Sequence, residues 1–256
     1  MNVLAFDIET VPDVDAGRRL YGLEGLPDDQ VGRAMFHLRH QESGSDFLRH
    51  PLHRVVAISV ALRDRDRFRL WSLGDLESPE RDLVHRFFDG IERYTPTLVS
   101  WNGLGFDLPV LHYRSLLHGV AAPRYWETGE EDPGFRWNNY LSRFHQRHTD
   151  LMDVLSAYQG RAAAPLEVVA TLLGLPGKMG QSGAQVWDRY LAGDLAGIRD
   201  YCELDVLNTY LVYLRLELVR GRLDPQGHAR ECQLVRDTLA GDERPHLQAL
   251  LRAWPA

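Results

Sequence analysis

Asn2-Val3-Leu4-Ala5-Phe6-Asp7-Ile8-Glu9-Thr10 is the stretch from which the rest of this chain is read. It opens as an apolar run rich in strand formers and ends in two acids one residue apart, so it reads as a buried strand. Strand side chains alternate faces, which puts Asp7 and Glu9 on one face, about 7 Å apart along the strand. Two carboxylates so placed repel each other and lose hydration, and a cation must offset that cost. The first basic side chain in the sequence is Arg18. A hard, oxygen-seeking ion such as Mg²⁺ or Mn²⁺ fits the pair. For a lone Asp-x-Glu the plain alternative is a strand that ends in solvated acids, so the rest of the chain must discriminate.

The length of 256 residues suits one large α/β domain or two small ones, with a sizeable core either way. At 44% apolar and 25% charged residues the composition is that of an ordinary globular protein. No segment has the apolar length of a membrane span, and the N-terminus is not a basic-then-apolar signal sequence. Cys202 and Cys232 are the two cysteines. They make no disulfide framework and no cysteine-rich zinc site, and they suit a reducing cytoplasm. With 29 basic against 36 acidic residues the net charge is −7, which argues against non-specific coating of nucleic acid. An enzyme that grips a few nucleotides and neutralises its own acids with metal remains compatible.

Outward from the first strand, Val11-Pro12-Asp13 reads as a loop, and residues 13–50 as an excursion with a helical piece from Asp28 to His40. Arg33 to Arg54 holds four Arg and four His against Glu42 and Asp46. That is a solvated helical face or a phosphate-facing insertion. Arg54 to Leu62 is the next strand and Arg67 to Leu73 its hairpin partner. The first three strands then form an antiparallel meander. Ser78 to Tyr94 reads as a helix, with Ser78 as cap, Pro79 in the first turn and one apolar stripe. Thr97 to Trp101 is a strand that runs into Asn102-Gly103-Leu104-Gly105-Phe106-Asp107, and a helix opens at Asp107 and ends near His118.

The segment 119–147 is irregular. From Phe135 to His148 it carries three Arg, two His and four aromatics without an acid, so its aromatics are either core or a platform for bases. His148 to Asp150 ends a short strand, and Asp150 reads as a helix N-cap. Leu166 to Leu173 is helical. Lys178 lies in a glycine-rich loop, as a surface lysine or a phosphate contact. Helices follow from Ala184 to Tyr190 and from Leu195 to Val219, then a helical, Arg-rich tail. The reading is one α/β domain, a mixed sheet with an antiparallel meander flanked by helices, with a core of about 1–220 and a helical C-terminal extension, 221–256.

On the long helix, Tyr201 and Asp205 are four residues apart and project together, while Glu203 faces the other way, toward solvent. Asp107 follows two glycines at a strand-to-helix transition and, taken alone, is a helix cap. Taken together, the end of the first strand, the Asn102–Asp107 turn and the late helix converge on one sheet edge. Four carboxylates there suffice for two divalent ions about 4 Å apart, the arrangement that clamps a phosphodiester.

Phe6-Asp7-Ile8-Glu9-Thr10, Asn102 to Asp107 and Tyr201 to Asp205 resemble, in order, the three exonuclease motifs of the tyrosine branch of the DEDD superfamily. The form is similar to the proofreading exonuclease domain of family B DNA polymerases, and to stand-alone bacterial proteins predicted to be 3′–5′ exonucleases. Gly174 to Val186 also resembles the stand-alone group, and the likeness covers roughly residues 1–220. The resemblance implies a ribonuclease H-like fold and two-metal hydrolysis, with Mg²⁺ or Mn²⁺, at the 3′ end of a single strand, DNA ahead of RNA; the alternatives are an exoribonuclease or structure-specific nuclease of the same fold, or a catalytically silent nucleic-acid-binding module. It assigns Asp7, Glu9 and Asp205 to the ion that activates water, and Asp7 with Asp107 to the second ion. It gives Tyr201 the orientation of the attacking water, and places Thr10, Asn102 and Phe106 beside the terminal nucleotide. No polymerase domain follows, so proofreading and DNA repair both remain open.

Overall fold

The protein is described by a computed structural model covering residues 2–177, 179–180 and 183–255. In chain order, β1 (Asn2–Pro12), α1 (Val14–Tyr21) and α2 (Asp28–Ser43) lead through a short 3₁₀ turn to β2 (His53–Asp64) and β3 (Arg67–Ser72). Next come α3 (Glu80–Tyr94), β4 (Thr97–Ser100), α4 (Asp107–His118), α5 (Pro123–Trp126), β5 (His148–Asp150) and α6 (Leu151–Leu155). The C-terminal part is α7 (Leu166–Leu172), α8 (Val186–Leu191), α9 (Leu195–Val219), α10 (Pro225–Ala240) and α11 (Pro245–Ala253).

Among the described residues five strands form one mixed sheet in the order β3-β2-β1-β4-β5. The meander is confined to β1, β2 and β3. β4 pairs with the free edge of β1 in parallel, after the crossover through α3, and β5 pairs in parallel with β4. The sheet as a whole is therefore not a meander: crossover connections through helices deliver its last two strands.

The period of two in β1 sorts its side chains onto two faces. Val3 and Ala5 join Ala61, Val99 and the apolar side of α9 in one core. Leu4, Phe6 and Ile8 join Ile58, Val60, Leu62, Leu98 and the apolar stripes of α3 and α4 in the other. Cross-strand partners agree, Ala5 with Ala61 on one face and Leu4 with Leu62 on the other. By the same alternation Asp7 and Glu9 face α9.

Three details depart from the sequence reading. Val11 and Pro12 continue β1, because β2 keeps pairing as far as Pro12↔His53 beyond a register shift between Glu9 and Thr10. Asp13 then caps α1 by accepting from Ala16 N at 2.9 Å. Ser78 does not cap α3, which starts at Glu80 with Pro79 in the cap position. Instead the Ser78 hydroxyl donates to Asp75 Oδ1 at 2.8 Å and accepts from Asp75 N at 2.9 Å. A buried ion network fixes α4 in the fold: Arg114 donates to Asp13 at 2.6 Å and to both oxygens of Glu80, and Glu80 also accepts from Val55 N.

The tail is more than an appendage. Val235, Leu239, Leu247, Leu250 and Trp254 are buried in the same core as α9. Helix α9 is thus covered on its back by α10 and α11 as well as on its front by the sheet. This overturns the reading of Glu203 as solvated. Glu203 is 4% exposed, accepts from the Ser72 hydroxyl at 2.9 Å and Arg244 at 2.6 Å, and bonds His246 at 2.8 Å.

Candidate active site

β1 runs past the last residue that β4 pairs with, since Ala5↔Val99 is the end of that ladder. Beyond it the edge of β1 is taken up by a side chain. Asp107, the first residue of α4, accepts a hydrogen bond from Ile8 N at 3.2 Å through Oδ1. A carboxylate from the helix thereby satisfies a buried strand donor and lies one residue from both Asp7 and Glu9.

The turn that delivers Asp107 is held from below. Asn102 has φ +63°, a left-handed conformation that asparagine tolerates better than most residues. Its N–H donates to Asp150 Oδ1 at 3.0 Å, and the N–H of Leu104 donates to Asp150 Oδ2 at 2.9 Å. Asp150 also caps α6, accepting from Met152 N at 3.1 Å, which bears out the capping expectation and adds a second task. Gly103 and Gly105 serve the turn through their missing Cβ. A Cβ on Gly103 would lie 2.2 Å from Ser100 Oγ, and one on Gly105 would lie 2.3 Å from Asn102 Oδ1.

From the other side α9 brings Tyr201, Cys202 and Asp205, all buried. Ligand-capable atoms of Asp7, Glu9 and Cys202 lie within 4.8 Å of one another. The Cys202 thiol points at Asp7, with Sγ 3.4 Å from its carbonyl oxygen and 3.6 Å from Oδ2. Burial, with Asp7 and Glu9 beside it, pushes this thiol well above the ordinary range, so it stays protonated and acts as a donor. The sequence reading used Cys202 only as a marker of compartment and missed this contact. Its one available signal was position, next to Tyr201 on a helix face turned to the strand.

The electrostatics register the crowding of acids. Burial, with the charges of Asp150 and Asp205 adding to it, pushes Asp107 up to about 7. Burial raises Tyr201 far above its usual 10, with the charges of Asp205, Glu9 and Asp7 adding to it. Its hydroxyl is therefore a phenol at every physiological pH, hydrogen-bonded with Asp205. The donor set is carboxylate oxygen with one neutral thiol, which fits hard divalent cations such as Mg²⁺ or Mn²⁺ and does not fit a thiolate-bound zinc. A cation among these acids would lower the cost of keeping Asp107 ionised.

Beside the acids opens a cleft of about 780 Å³ lined by Glu9, Thr10, Phe106, Phe47, His53 and Trp187 among others. The Thr10 hydroxyl pairs with His53 Nδ1 at 2.8 Å, and His53 Nε2 lies 3.2 Å from the Leu48 carbonyl. A proton on Nε2 satisfies both, so Thr10 donates to Nδ1. Burial lowers His53 to about 4, which keeps it in that neutral form. Phe106 packs edge-on against His53 and 5.3 Å from Phe47. Thr10 and Phe106 thus line the cleft beside Glu9, Asn102 stands at the start of the turn that delivers Asp107, and Lys178 lies outside the described residues.

The two basic stretches resolve differently along their lengths. In Arg33–Arg54, Arg39 and Arg49 are taken up by Glu42 and His40 by Asp46, while Arg33 and His53 line the cleft. In Phe135–His148, Phe135 and Tyr140 are core, with Arg147 lying 3.8 Å over the Phe135 ring. Trp137 and Phe144, at 81% and 78% exposed, are not core.

A family model described as predicted 3′-5′ exonuclease related to the exonuclease domain of PolB matches residues 45–254. No curated protein matches the chain. The matched stretch contains Asn102, Phe106, Asp107, Tyr201 and Asp205 and runs through the C-terminal helices, 34 residues beyond the expected limit near 220. It begins downstream of Asp7–Thr10, which join the other residues through β1.

Proposed function

The chain belongs to the family of predicted 3′–5′ exonucleases related to the PolB exonuclease domain, and from that premise we propose that it removes nucleotides one at a time from the 3′ end of single-stranded DNA. In this reading residues 1–256 act as one exonuclease domain, its core of about 1–220 backed by the helices of 221–256, in a reducing compartment such as the cytoplasm. The observation that carries the reading is that Asp7, Glu9 and Asp205 act on Tyr201 while Asp107, bonded to Ile8 N, feels the charge of Asp205, so three separate elements meet at one place. Asp7, Glu9 and Asp205 would hold the ion that activates the attacking water, and Asp7 with Asp107 would hold the second. When bound, the two Mg²⁺ or Mn²⁺ ions supply the acidity of that water and offset charge on the phosphate. Tyr201, held neutral by its surroundings, donates a hydrogen bond and fixes direction, and it takes no proton. Asp107 holds its place through Ile8 N whether or not it is charged. The cleft lined by Thr10 and Phe106, and the Asn102 turn beside it, receive the terminal nucleotide, and the Lys178 loop adds a phosphate contact.

Asp7→Ala and Asp205→Ala are expected to abolish Mg²⁺- or Mn²⁺-dependent digestion while leaving the circular dichroism spectrum unchanged. Near-normal turnover by either variant refutes the assignment. End-labelled DNA and RNA strands with free or blocked 3′ ends define the substrate. Stepwise shortening of DNA from free ends alone is expected, and equal cutting of blocked ends overturns the exonuclease reading.

A further inference from the structure

On the far side of the Asn102–Phe106 turn lies a second opening. Phe106 lines the cleft beside the acids, and Leu104, two residues earlier, lines this one. Its volume is about 430 Å³, and Arg143, Phe144, Tyr158, Arg220 and Arg222 also line it. The Arg143 guanidinium lies 5.1 Å from the centre of the Phe144 ring and 5.4 Å from that of Tyr158. The two rings are 6.5 Å apart at an open angle of 49°, so neither stacks flat on the other. Phe144 is 78% exposed and Tyr158 42%, so both rings present a face to solvent at the opening.

The charge is positive in balance. Glu217 pairs with Arg220 at 3.3 Å and Arg222 at 3.4 Å, so three guanidinium groups stand against two carboxylates, Glu217 and the wall's Asp150. In a chain of net charge −7 this is a local reversal of sign. A further polar group waits at the wall: His148 is buried, bonds Ser100 Oγ at 2.7 Å through Nε2, and has no partner for Nδ1 among the described residues. Asp150, also on the wall, is used by the backbone N–H groups of Asn102 and Leu104.

Resting on the exonuclease reading above, we infer that this opening is a second anchoring site for the single strand, taking the phosphates and a base just upstream of the terminal nucleotide. The arginines face a polyanion and attract its phosphates, and the exposed Phe144 and Tyr158 rings offer a base a face of either sequence. The shared turn explains how the two sites cooperate. A strand whose 3′ end sits beside Phe106 leaves across Leu104, and Asp150 holds the backbone under both. The site discriminates by length: a substrate of one or two nucleotides does not reach it.

The test measures binding apart from chemistry. The full chain, without divalent ions, is titrated with 5′-fluorescein-labelled single strands of ten nucleotides, DNA in one arm and RNA in the other, and anisotropy is read. Arg143→Gln combined with Phe144→Ala is expected to weaken binding about tenfold at low salt and to reduce the slope of log affinity against log salt by about 0.7. Trp137→Ala, equally exposed but off this opening, is expected to bind as the parent does. Turnover of the p-nitrophenyl ester of thymidine 5′-monophosphate, too short to arrive there, is expected to be unchanged. Parent-like affinity and salt slope in the double variant overturn the inference and leave the exonuclease reading standing. Weakened binding by the double variant, together with a parent protein that digests nothing, keeps the anchoring site and overturns the exonuclease reading instead. Stronger loss in one arm than in the other assigns the strand as DNA or RNA.

Discussion

Tyr201 shows how far a single side chain is defined by its surroundings. An exposed tyrosine shares its proton with water near pH 10. Here burial and the carboxylates of Asp205, Glu9 and Asp7 hold the proton on the oxygen throughout the working range. A group that cannot ionise contributes direction and a hydrogen bond. Tyr201→Phe is therefore expected to lower kcat by about 10²-fold, the usual cost of one preorganised donor. Mn²⁺ affinity by calorimetry is expected to stay within error of the parent. An unchanged rate moves the water-orienting role to another group. Cys202 follows the same logic one position on: with Asp7 and Glu9 beside it, the thiol remains a neutral donor. Glu203, two positions on, points at Arg244 and His246 and serves the packing of the tail.

At the scale of elements, the Asn102–Asp107 turn deserves the closest look because it places Asp107 from one end and borders both openings along its length. The sequence shows two glycines at this strand-to-helix transition. The structure assigns the left-handed residue to Asn102 and leaves Gly103 and Gly105 necessary for want of room. A methyl group on Gly103 meets Ser100 Oγ and Cβ, and Ser100 is itself held by His148. Gly103→Ala is expected to destabilise the protein by about 1–3 kcal/mol in urea titration, the range for overpacking, and to lower activity by displacing Asp107. Full stability with full activity shows that the turn relaxes without moving the site. Helix α9 illustrates the opposite lesson. Its apolar residues go most of the way round because it is covered on both sides, and periodicity alone does not tell which acids of such a helix are wet.

Over the whole molecule, three histidines tie stability to pH. Burial lowers His53 and His112 to about 4 and His148 to about 3, against an ordinary 6.5. Below pH 6.5 the unfolded chain takes up protons that the folded protein refuses, so stability falls as pH drops from 6.5 toward 4. Each histidine contributes a slope of up to about 1.4 kcal/mol per pH unit in that window. His148→Gln keeps a partner for Ser100 and is expected to remove one proton's worth of that slope, measured by urea unfolding at intervals from pH 7 to 4.5. An unaltered slope means that His148 takes up its proton in the folded protein as readily as in the unfolded chain.

Sequence alone determined what local chemistry determines. The alternation in Asn2–Thr10 assigned Asp7 and Glu9 to one face, the four-residue spacing put Tyr201 with Asp205, and the limits of α4 and α9 followed from turn and cap residues and from apolar runs. The resemblance of three short motifs named the family that the match over residues 45–254 bears out. Tertiary structure alone decided the contacts made across the chain. It joined β4 and β5 in parallel to the meander, buried Glu203 under α11, turned the Cys202 thiol onto Asp7, and separated exposed Phe144 from buried Phe135 in one basic stretch. The reason is physical: backbone geometry repeats over two or four residues and is written in neighbouring letters, whereas burial depends on which distant segment covers a face, and no local pattern carries that information.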